Sequence, residues 1–493
     1  MNIKNSELHI KIPPIGFGTS GHRGIQGQDF RNAHVIAIAQ AVAIFCKKDR
    51  AQPSIVIGYD SRHGNHPQRE KGTYTQVLVD TLLSQGCNVT FFEIPVPTPL
   101  ISYMITKEDH DGGLILTASH NPPEYNGLKF NPKNGAPAPP EVTQELETLA
   151  NHFLHTPPDD APQNGQLTLT KNTQSFTEQL ATLSHSLISP PSFKNARIVI
   201  ENNHGACAQV WSEVAQQLKL NTCDILHPDP QPDFGKRAPN PTQIHTLEPL
   251  KTKLIQENAI LGIANDPDGD RHQLLDETGT PLSPEETAVI ILEALKPPMH
   301  RVCGTVASSY LLKQACEKNG YIYEETAVGF KYFAPFFKEA QDLGQLSMGV
   351  ESSGGFSLSN HTFDKCGFLP GLLILAICLQ RQCRLSELKN DLYQRYGKWH
   401  FLESEFKYPT EKRDHIQKVI QTPDPNSLAQ AAPLPLINWH CQDGLKLEFK
   451  DLSWGLIRLS GTEPVARVYA ESQDPKLSQK IILSLQKWLS NQG

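Results

Sequence analysis

The sequence predicts an α/β fold: three similar mixed or parallel α/β domains in series, followed by a smaller C-terminal α+β domain. Three observations carry that reading. A short theme recurs three times, in which an apolar run ends in a polar turn and is followed by a helix-like segment and a second short strand. Alternating strands and helices of this kind form parallel sheets. At 493 residues the chain exceeds what one core supports. From about residue 400 the pattern changes to short strands and one final amphipathic helix.

The first copy of the theme is Ser54-Ile55-Val56-Ile57-Gly58-Tyr59-Asp60, with Val89-Thr90-Phe91-Phe92 as a following strand. The second is Arg197-Ile198-Val199-Ile200-Glu201-Asn202-Asn203-His204-Gly205-Ala206. The third and weakest is Arg301-Val302-Cys303-Gly304-Thr305-Val306-Ala307-Ser308-Ser309, with Tyr321-Ile322-Tyr323 after it. Residues rich in Pro, Gly and Asn mark loops at 131–140, 156–166 and 228–241. A linker over 186–196 and the pair Pro297-Pro298 suggest domains over 1–190, 191–298, 299–400 and 401–493. In the last, residues 401–408, 446–449 and 466–471 read as strands and 476–489 as a helix.

Composition narrows the function classes. Hydrophobic content of 38% and charged content of 20% fit a soluble globular chain. A net charge of -7, from 45 basic and 52 acidic residues, argues against a generic nucleic-acid surface. The longest apolar stretch, 368–379, contains Pro370 and falls short of the roughly 18 residues needed to cross a bilayer. Residues 1–11 alternate polar and apolar and show no secretory h-region. Ten scattered cysteines without a C-x-x-C pair predict reduced thiols and a cytoplasmic enzyme.

Several loops carry chemistry. Thr117-Ala118-Ser119-His120-Asn121-Pro122 follows the apolar run Leu114-Ile115-Leu116, so Ser119 is held in a proline-fixed loop at a strand end. Such a hydroxyl can be a nucleophile, a metal ligand or a phosphate acceptor, or part of a plain polar turn. Asp266-Pro267-Asp268-Gly269-Asp270-Arg271 follows another strand. Its three carboxylates at i, i+2 and i+4 repel one another unless a cation neutralises them, and hard oxygens suit Mg²⁺ or Ca²⁺. An EF-hand is excluded because its sixth position would be Arg271 instead of Gly.

Arg458-Leu459-Ser460-Gly461-Thr462-Glu463-Pro464 places a guanidinium, two hydroxyls and a Gly turn after a strand, which makes an oxyanion cradle. Residues 460–463 also match a helix capping box, but Pro464 and the strand-like run after it disfavour a helix. Gly16-Phe17-Gly18-Thr19-Ser20-Gly21 satisfies G-x-G-x-x-G, yet Pro13, Pro14, Gly24 and Gly27 spoil the strand and helix a dinucleotide site needs. Arg23 in that Gly-rich loop can meet a phosphate, or the segment is simply an ordered N-terminal turn. Gly349-Val350-Glu351-Ser352-Ser353-Gly354-Gly355 can hydrogen-bond sugar hydroxyls, and Asp364-Lys365-Cys366-Gly367 carries a cation in a similar setting. Thr326-Ala327-Val328-Gly329-Phe330-Lys331 is a further candidate loop, or a buried strand end. No G-x-S-x-G elbow exists to support a serine hydrolase.

This constellation resembles the α-D-phosphohexomutases along essentially the whole chain and in the family's order of loops. Phe17-Gly18-Thr19-Ser20-Gly21-His22-Arg23-Gly24, with His34-Val35-Ile36-Ala37-Ile38-Ala39-Gln40-Ala41, looks most like the bacterial phosphoglucomutases. The resemblance implies four domains around a central cleft. It also implies a phosphoryl group on Ser119, and Mg²⁺ held by Ser119, Asp266, Asp268 and Asp270. Arg23, His120, Lys129 and Arg271 would then surround the transfer. Arg458, Ser460, Gly461 and Thr462 would hold the substrate phosphate, and Gly329, Glu351, Ser353 and Lys365 would contact the rest of the hexose phosphate. The implied reaction interconverts glucose 1-phosphate and glucose 6-phosphate, with hexose 1,6-bisphosphate as activator and intermediate. Phosphomannomutase and phosphoglucosamine mutase chemistry are the alternatives, followed by an inactive sugar-phosphate binder. A monomer or homodimer without nucleic-acid or membrane partners is expected. Val350, Ser352 and Cys366 depart from the family's pattern, which bears on the choice of sugar.

Overall fold

The computed structural model describes residues 12–18, 20–156, 164–296, 298–460 and 464–492. Gly461 and Thr462 of the expected phosphate loop lie outside these. Among the described residues there are four sheets. The first contains β1 (Gly21–Ile25), β2 (Ser54–Tyr59), β3 (Asn88–Phe92), β4 (Gly112–Leu116), β5 (Tyr125–Pro132) and β6 (Leu167–Thr170). The second contains β7 (Arg197–Glu201), β8 (Thr222–Leu226), β9 (Leu261–Asn265), β10 (His272–Asp276) and β11 (Pro281–Leu282). The third contains β12 (Met299–Thr305), β13 (Ile322–Thr326), β14 (Leu346–Val350) and β15 (Phe356–Leu358). The fourth, in the C-terminal domain, contains β16 (His400–Lys407), β17 (Leu436–His440), β18 (Leu445–Phe449), β19 (Trp454–Leu459) and β20 (Val465–Ser472).

The three repeats share one topology. The orders β5-β4-β2-β3, β10-β9-β7-β8 and β15-β14-β12-β13 are equivalent. In each, three parallel strands are followed by one that doubles back antiparallel on the third. The parallel strands are largely apolar runs, as strands covered on both faces must be. The reversals fall at 117–124, 266–271 and 351–355, so the serine, carboxylate and glutamate loops are one structural position used three times. Loops at the carboxyl ends of parallel strands are where α/β folds place their sites.

Packing ties the first three domains together. One core runs from Ile101 and Phe176 through Ile198 and Trp211 to Phe368 and Leu372. Helix Leu369–Arg381 packs on Gln174–Ile188 and on Pro284–Leu292, the latter opened by a Ser283/Glu286 capping box. The fourth domain is different. Its sheet, ordered β16-β20-β19-β18-β17, is antiparallel throughout, and helix Pro475–Gln492 covers one face over a core of its own. It meets the third domain through a small apolar cluster of Val306, Ala307, Trp454, Leu456 and Tyr469.

Candidate active site

Ser119 sits in the first reversal, buried, with a left-handed backbone at φ 53°. A residue without glycine's freedom holds that conformation only when its surroundings insist on it. Here its N–H donates to Thr117 Oγ1 at 2.8 Å, and Thr117 Oγ1 donates to Asp60 Oδ2 at 2.6 Å. Arg62 completes the frame. Its Nε donates to Asp60 Oδ2 at 2.8 Å, and its Nη groups reach the carbonyls of Ser119 and Tyr125, both at 2.6 Å, and of Pro122 at 3.2 Å. The guanidinium also stacks 5.0 Å from the Phe234 ring of the second domain. Asp60 and Arg62 are fully buried and were not recognised as site residues in the sequence. Their signal was an Asp-x-Arg immediately after a buried strand.

The second reversal brings Asp266, Asp268 and Asp270 together, all buried, with one oxygen from each within 4.8 Å of the others. Ser119 Oγ donates to Asp266 Oδ2 at 2.6 Å. Lys129, on β5 opposite Ile115, donates to Asp268 Oδ2 at 2.6 Å and Asp270 Oδ2 at 2.8 Å. Lys365 Nζ lies 3.3 Å from Asp270 Oδ2. Thr98, at the start of helix Thr98–Lys107, clamps the loop from the first domain. Its N–H donates to the Asp268 carbonyl at 2.8 Å and its hydroxyl to Asp268 Oδ2 at 2.7 Å. Gly269, at φ +66°, leaves no room for a side chain, since a Cβ there would stand 2.7 Å from Cys207 Sγ.

The donor set fits a hard divalent cation. Asp268 Oδ1 and Asp270 Oδ1 are buried without a hydrogen-bond partner among the described residues. Their second oxygens are taken by lysines, so each carboxylate offers one free oxygen beside Asp266 and Ser119 Oγ. Buried oxygens left without partners are costly unless a ligand uses them. Burial, then the charges of Asp268 and Asp270, pushes the Asp266 carboxyl well above its usual range. Asp270 is held below its usual range, because Lys129, Lys365 and Arg271 outweigh its burial. Burial alone would lower the Lys129 pKa, but Asp268 and Asp270 reverse that and raise it.

Arg23, His120 and Arg271 line the same centre. Arg23 donates to Asn121 Oδ1 at 3.4 Å and to Ser20 Oγ at 3.3 Å. Arg271 Nε lies 3.7 Å from Asp270 Oδ1, and the Arg271 backbone N–H donates to Asp266 Oδ1 at 3.1 Å. His120 Nδ1 is 3.4 Å from Ser119 Oγ. Arg271 chiefly, then burial and Arg23, hold the His120 imidazole well below its ordinary pKa, so it is neutral at pH 7.

The third reversal carries Glu351, buried, and Ser353, half-buried. Gly355 bridges to Arg271, joining this loop to the carboxylate loop. A Cβ on Gly355 would stand 2.5 Å from Lys365 Cδ and 2.8 Å from Glu351 Oε2, so Glu351 and Lys365 face one space. Cys366 points the other way. It is fully buried in the core shared by the first three domains.

The far end of the site lies between the third and fourth domains. Gly329 is buried beside Val328, whose N–H donates to Asp443 Oδ2 at 2.8 Å. Arg458 Nε donates to the same oxygen at 3.0 Å. The Ser460 carbonyl accepts from Arg413 Nη2 at 2.7 Å. Among the described residues, no hydrogen bond or ion pair joins Arg458 to the Ser119 centre. Sequence reasoning missed Arg467, which lies directly across from Arg458 in the β19–β20 pair. Two arginines opposed on one face repel unless anions sit between them. Arg467 Nη1 donates to Glu403 Oε1 of β16 at 3.2 Å, and its side chain is exposed.

A buried serine set against a three-carboxylate loop and framed by lysines fits an intramolecular phosphotransferase of the phosphohexomutase type. Sequence comparison agrees over the whole length. The profiles of phosphoglucomutase/phosphomannomutase α/β/α domains I, II and III match residues 14–154, 174–279 and 283–396, and that of the C-terminal domain matches 409–484. The chain therefore belongs to the phosphoglucomutase/phosphomannomutase family. It is 27% identical to a phosphoglucosamine mutase of Carboxydothermus hydrogenoformans, over 94% of this chain and 97% of that one. It is 26% identical to a phosphoglucomutase/phosphomannomutase of Thermococcus kodakarensis, over 94% and 96%. A crystal structure of a presumed phosphomannomutase of Thermus thermophilus superposes with a TM-score of 0.79 at 24% identity, over 97% of this chain and all of that one, which shows a shared fold.

Proposed function

We propose that the chain interconverts glucose 1-phosphate and glucose 6-phosphate, with Ser119 as the phosphoryl carrier. The observation that carries this reading is the 2.6 Å contact between Ser119 Oγ and Asp266 inside the buried triad. Phospho-Ser119 gives its phosphoryl group to the free hydroxyl of a bound hexose phosphate. The P–O bond to serine breaks, a P–O bond to the sugar forms, and the sugar's hydroxyl proton is released as serine regains one. Neutral His120 has one ring N–H to give and one lone pair to receive, which suits it to return a proton to Ser119 Oγ. The hexose 1,6-bisphosphate so formed turns in the cleft and returns its other phosphoryl group to Ser119. Glu351 and Ser353 hold sugar hydroxyls in both orientations. Arg458, with Ser460, Gly461 and Thr462, holds the phosphate that is not reacting. Arg23, Lys129 and Arg271 stabilise charge on the group in flight.

Asp266, Asp268, Asp270 and Ser119 would hold Mg²⁺, which when bound supplies charge stabilisation to the transferring phosphoryl group. Local charge supports the pairing of ion and phosphoserine. Three carboxylates face three cations, Lys129, Lys365 and Arg271. A divalent ion adds two positive charges, and a phosphoserine at about -2 returns them. All ten cysteines are free, which supports a reducing, cytoplasmic setting.

A coupled assay with glucose, mannose and glucosamine 1-phosphates, catalytic hexose 1,6-bisphosphate and Mg²⁺ tests the sugar. Glucose 1-phosphate should give the largest kcat/KM; turnover confined to either rival would reassign the substrate. Intact mass should show about 80 Da of phosphate on Ser119. A Ser119→Ala protein that keeps its mutase activity would sink the mechanism.

A further inference from the structure

The turn between β17 and β18 is built onto Arg458. Gly444 has φ +92°, and a Cβ there would stand 2.2 Å from the Ile457 carbonyl oxygen and 2.7 Å from Arg458 Cγ. The turn thus closes directly on the arginine's stem and delivers Asp443 to its Nε. The same carboxylate oxygen receives the Val328 N–H, from the loop that contains Gly329. The hairpin is fastened to the third domain next to this point as well. Lys446 donates to Glu325 Oε2 at 2.6 Å and His440 Nε2 lies 3.4 Å from Glu325 Oε1. Lys331 and Tyr332 also lie in the field of Asp443.

We propose that Asp443 is a positioning residue for the phosphate end of the site. Its carboxylate fixes Arg458 against the 327–331 loop of the third domain, so the guanidinium is oriented before substrate arrives. The inference rests on Arg458 as a ligand of the substrate phosphate. Nε is the one Arg458 donor engaged by a described residue, which leaves the other N–H groups of the fork for an oxyanion. An arginine already held by its stem and its Nε has little rotamer freedom left to lose on binding. Because one oxygen serves both donors, the fourth domain's arginine and the third domain's loop move as a pair.

The opposite reading makes Asp443 a competitor that occupies Arg458 until phosphate displaces it. The two differ in sign. Asp443→Asn keeps an oxygen for the Val328 N–H but removes the charge. If Asp443 positions Arg458, this variant raises KM for the hexose phosphate by about fivefold, the ceiling for a partly exposed pair, with kcat within about twofold. In an Arg458→Met background the same change should have no further effect. A KM that falls or stays unchanged in Asp443→Asn, while Arg458→Met alone raises it, overturns the positioning role. An Arg458→Met protein with unaltered KM would instead remove the phosphate assignment, and this proposal with it.

Discussion

Replacing Lys129 with Met should unmask the repulsion stored in the carboxylate loop. Lys129 is almost fully buried and gives two charge-assisted hydrogen bonds, at 2.6 Å to Asp268 and 2.8 Å to Asp270. Methionine replaces its unbranched apolar stem without the charge. The loss is that of one partner from a buried ion network, about 3–5 kcal/mol. The first three domains share one core, and at about 2.1 cal/mol/K per residue over roughly 400 residues that lowers Tm by about 4–6 °C. The remaining cations do not compensate, since Lys365 and Arg271 stand at 3.3 and 3.7 Å from Asp270. Mg²⁺ should recover part of the loss. A ligand at 100 times its Kd adds about 2.7 kcal/mol to the folded state, and a site that has lost a cation binds a divalent ion more tightly. The assay is thermal denaturation of both proteins with and without Mg²⁺. A loss below about 1 kcal/mol would place Lys129 among ordinary surface pairs. A Mg²⁺-induced shift no larger in the variant than in the parent would show that Lys129 and the ion do not share the same carboxylates.

Two further substitutions probe the frame around this centre. Arg62→Lys keeps the charge but loses the planar fork that spans Asp60 and the carbonyls of Ser119, Pro122 and Tyr125. It should lower kcat more than about tenfold while KM changes little, as expected when a nucleophile is misplaced; unchanged kcat would free the serine loop from Arg62. At the junction with the fourth domain, burial, with Glu471 alongside, pushes the Glu285 carboxyl up to about 7. The folded state therefore holds a proton that the unfolded chain has released from about pH 4.3 upward. That stabilisation is full below this pH and is lost as pH rises through about 7, a change on the order of 3 kcal/mol. Glu285→Gln, which can still accept the Ser309 N–H, should flatten the fall in Tm between pH 5 and 8. A slope identical to the parent's would give Glu285 an ordinary carboxyl.

Much of the centre was legible because its chemistry is local in sequence. Three aspartates within five residues, or a Ser-His before two prolines, announce themselves without a fold. Lys129 was found through the family resemblance; its reach to the carboxylates depends on the antiparallel register of Tyr125–Pro132 on β4. Arg62, Asp443 and Arg467 escaped for one shared physical reason. Each acts through a partner supplied by another segment, such as a carbonyl of residue 119, an amide of residue 328 or an arginine across a strand pair. Asp443-Gly444 looks like any hairpin turn, and the pairing of Arg467 with Arg458 depends on a loop length that pattern alone does not convert into register.

Thr98 fastens the carboxylate loop to the first domain through both its amide and its hydroxyl, and Lys129 doubles the weld. A donor serine joined so firmly to its surroundings cannot travel to a second position on the sugar. In the proposed reaction the traveller must be the bisphosphate, which has to release nearly every contact, reverse end for end, and be caught again. Each cycle is thus a race between recapture and escape. Every escape carries off the phosphoryl group and leaves Ser119 bare, so the enzyme's fidelity is decided by how long the cleft detains a molecule it has just let go.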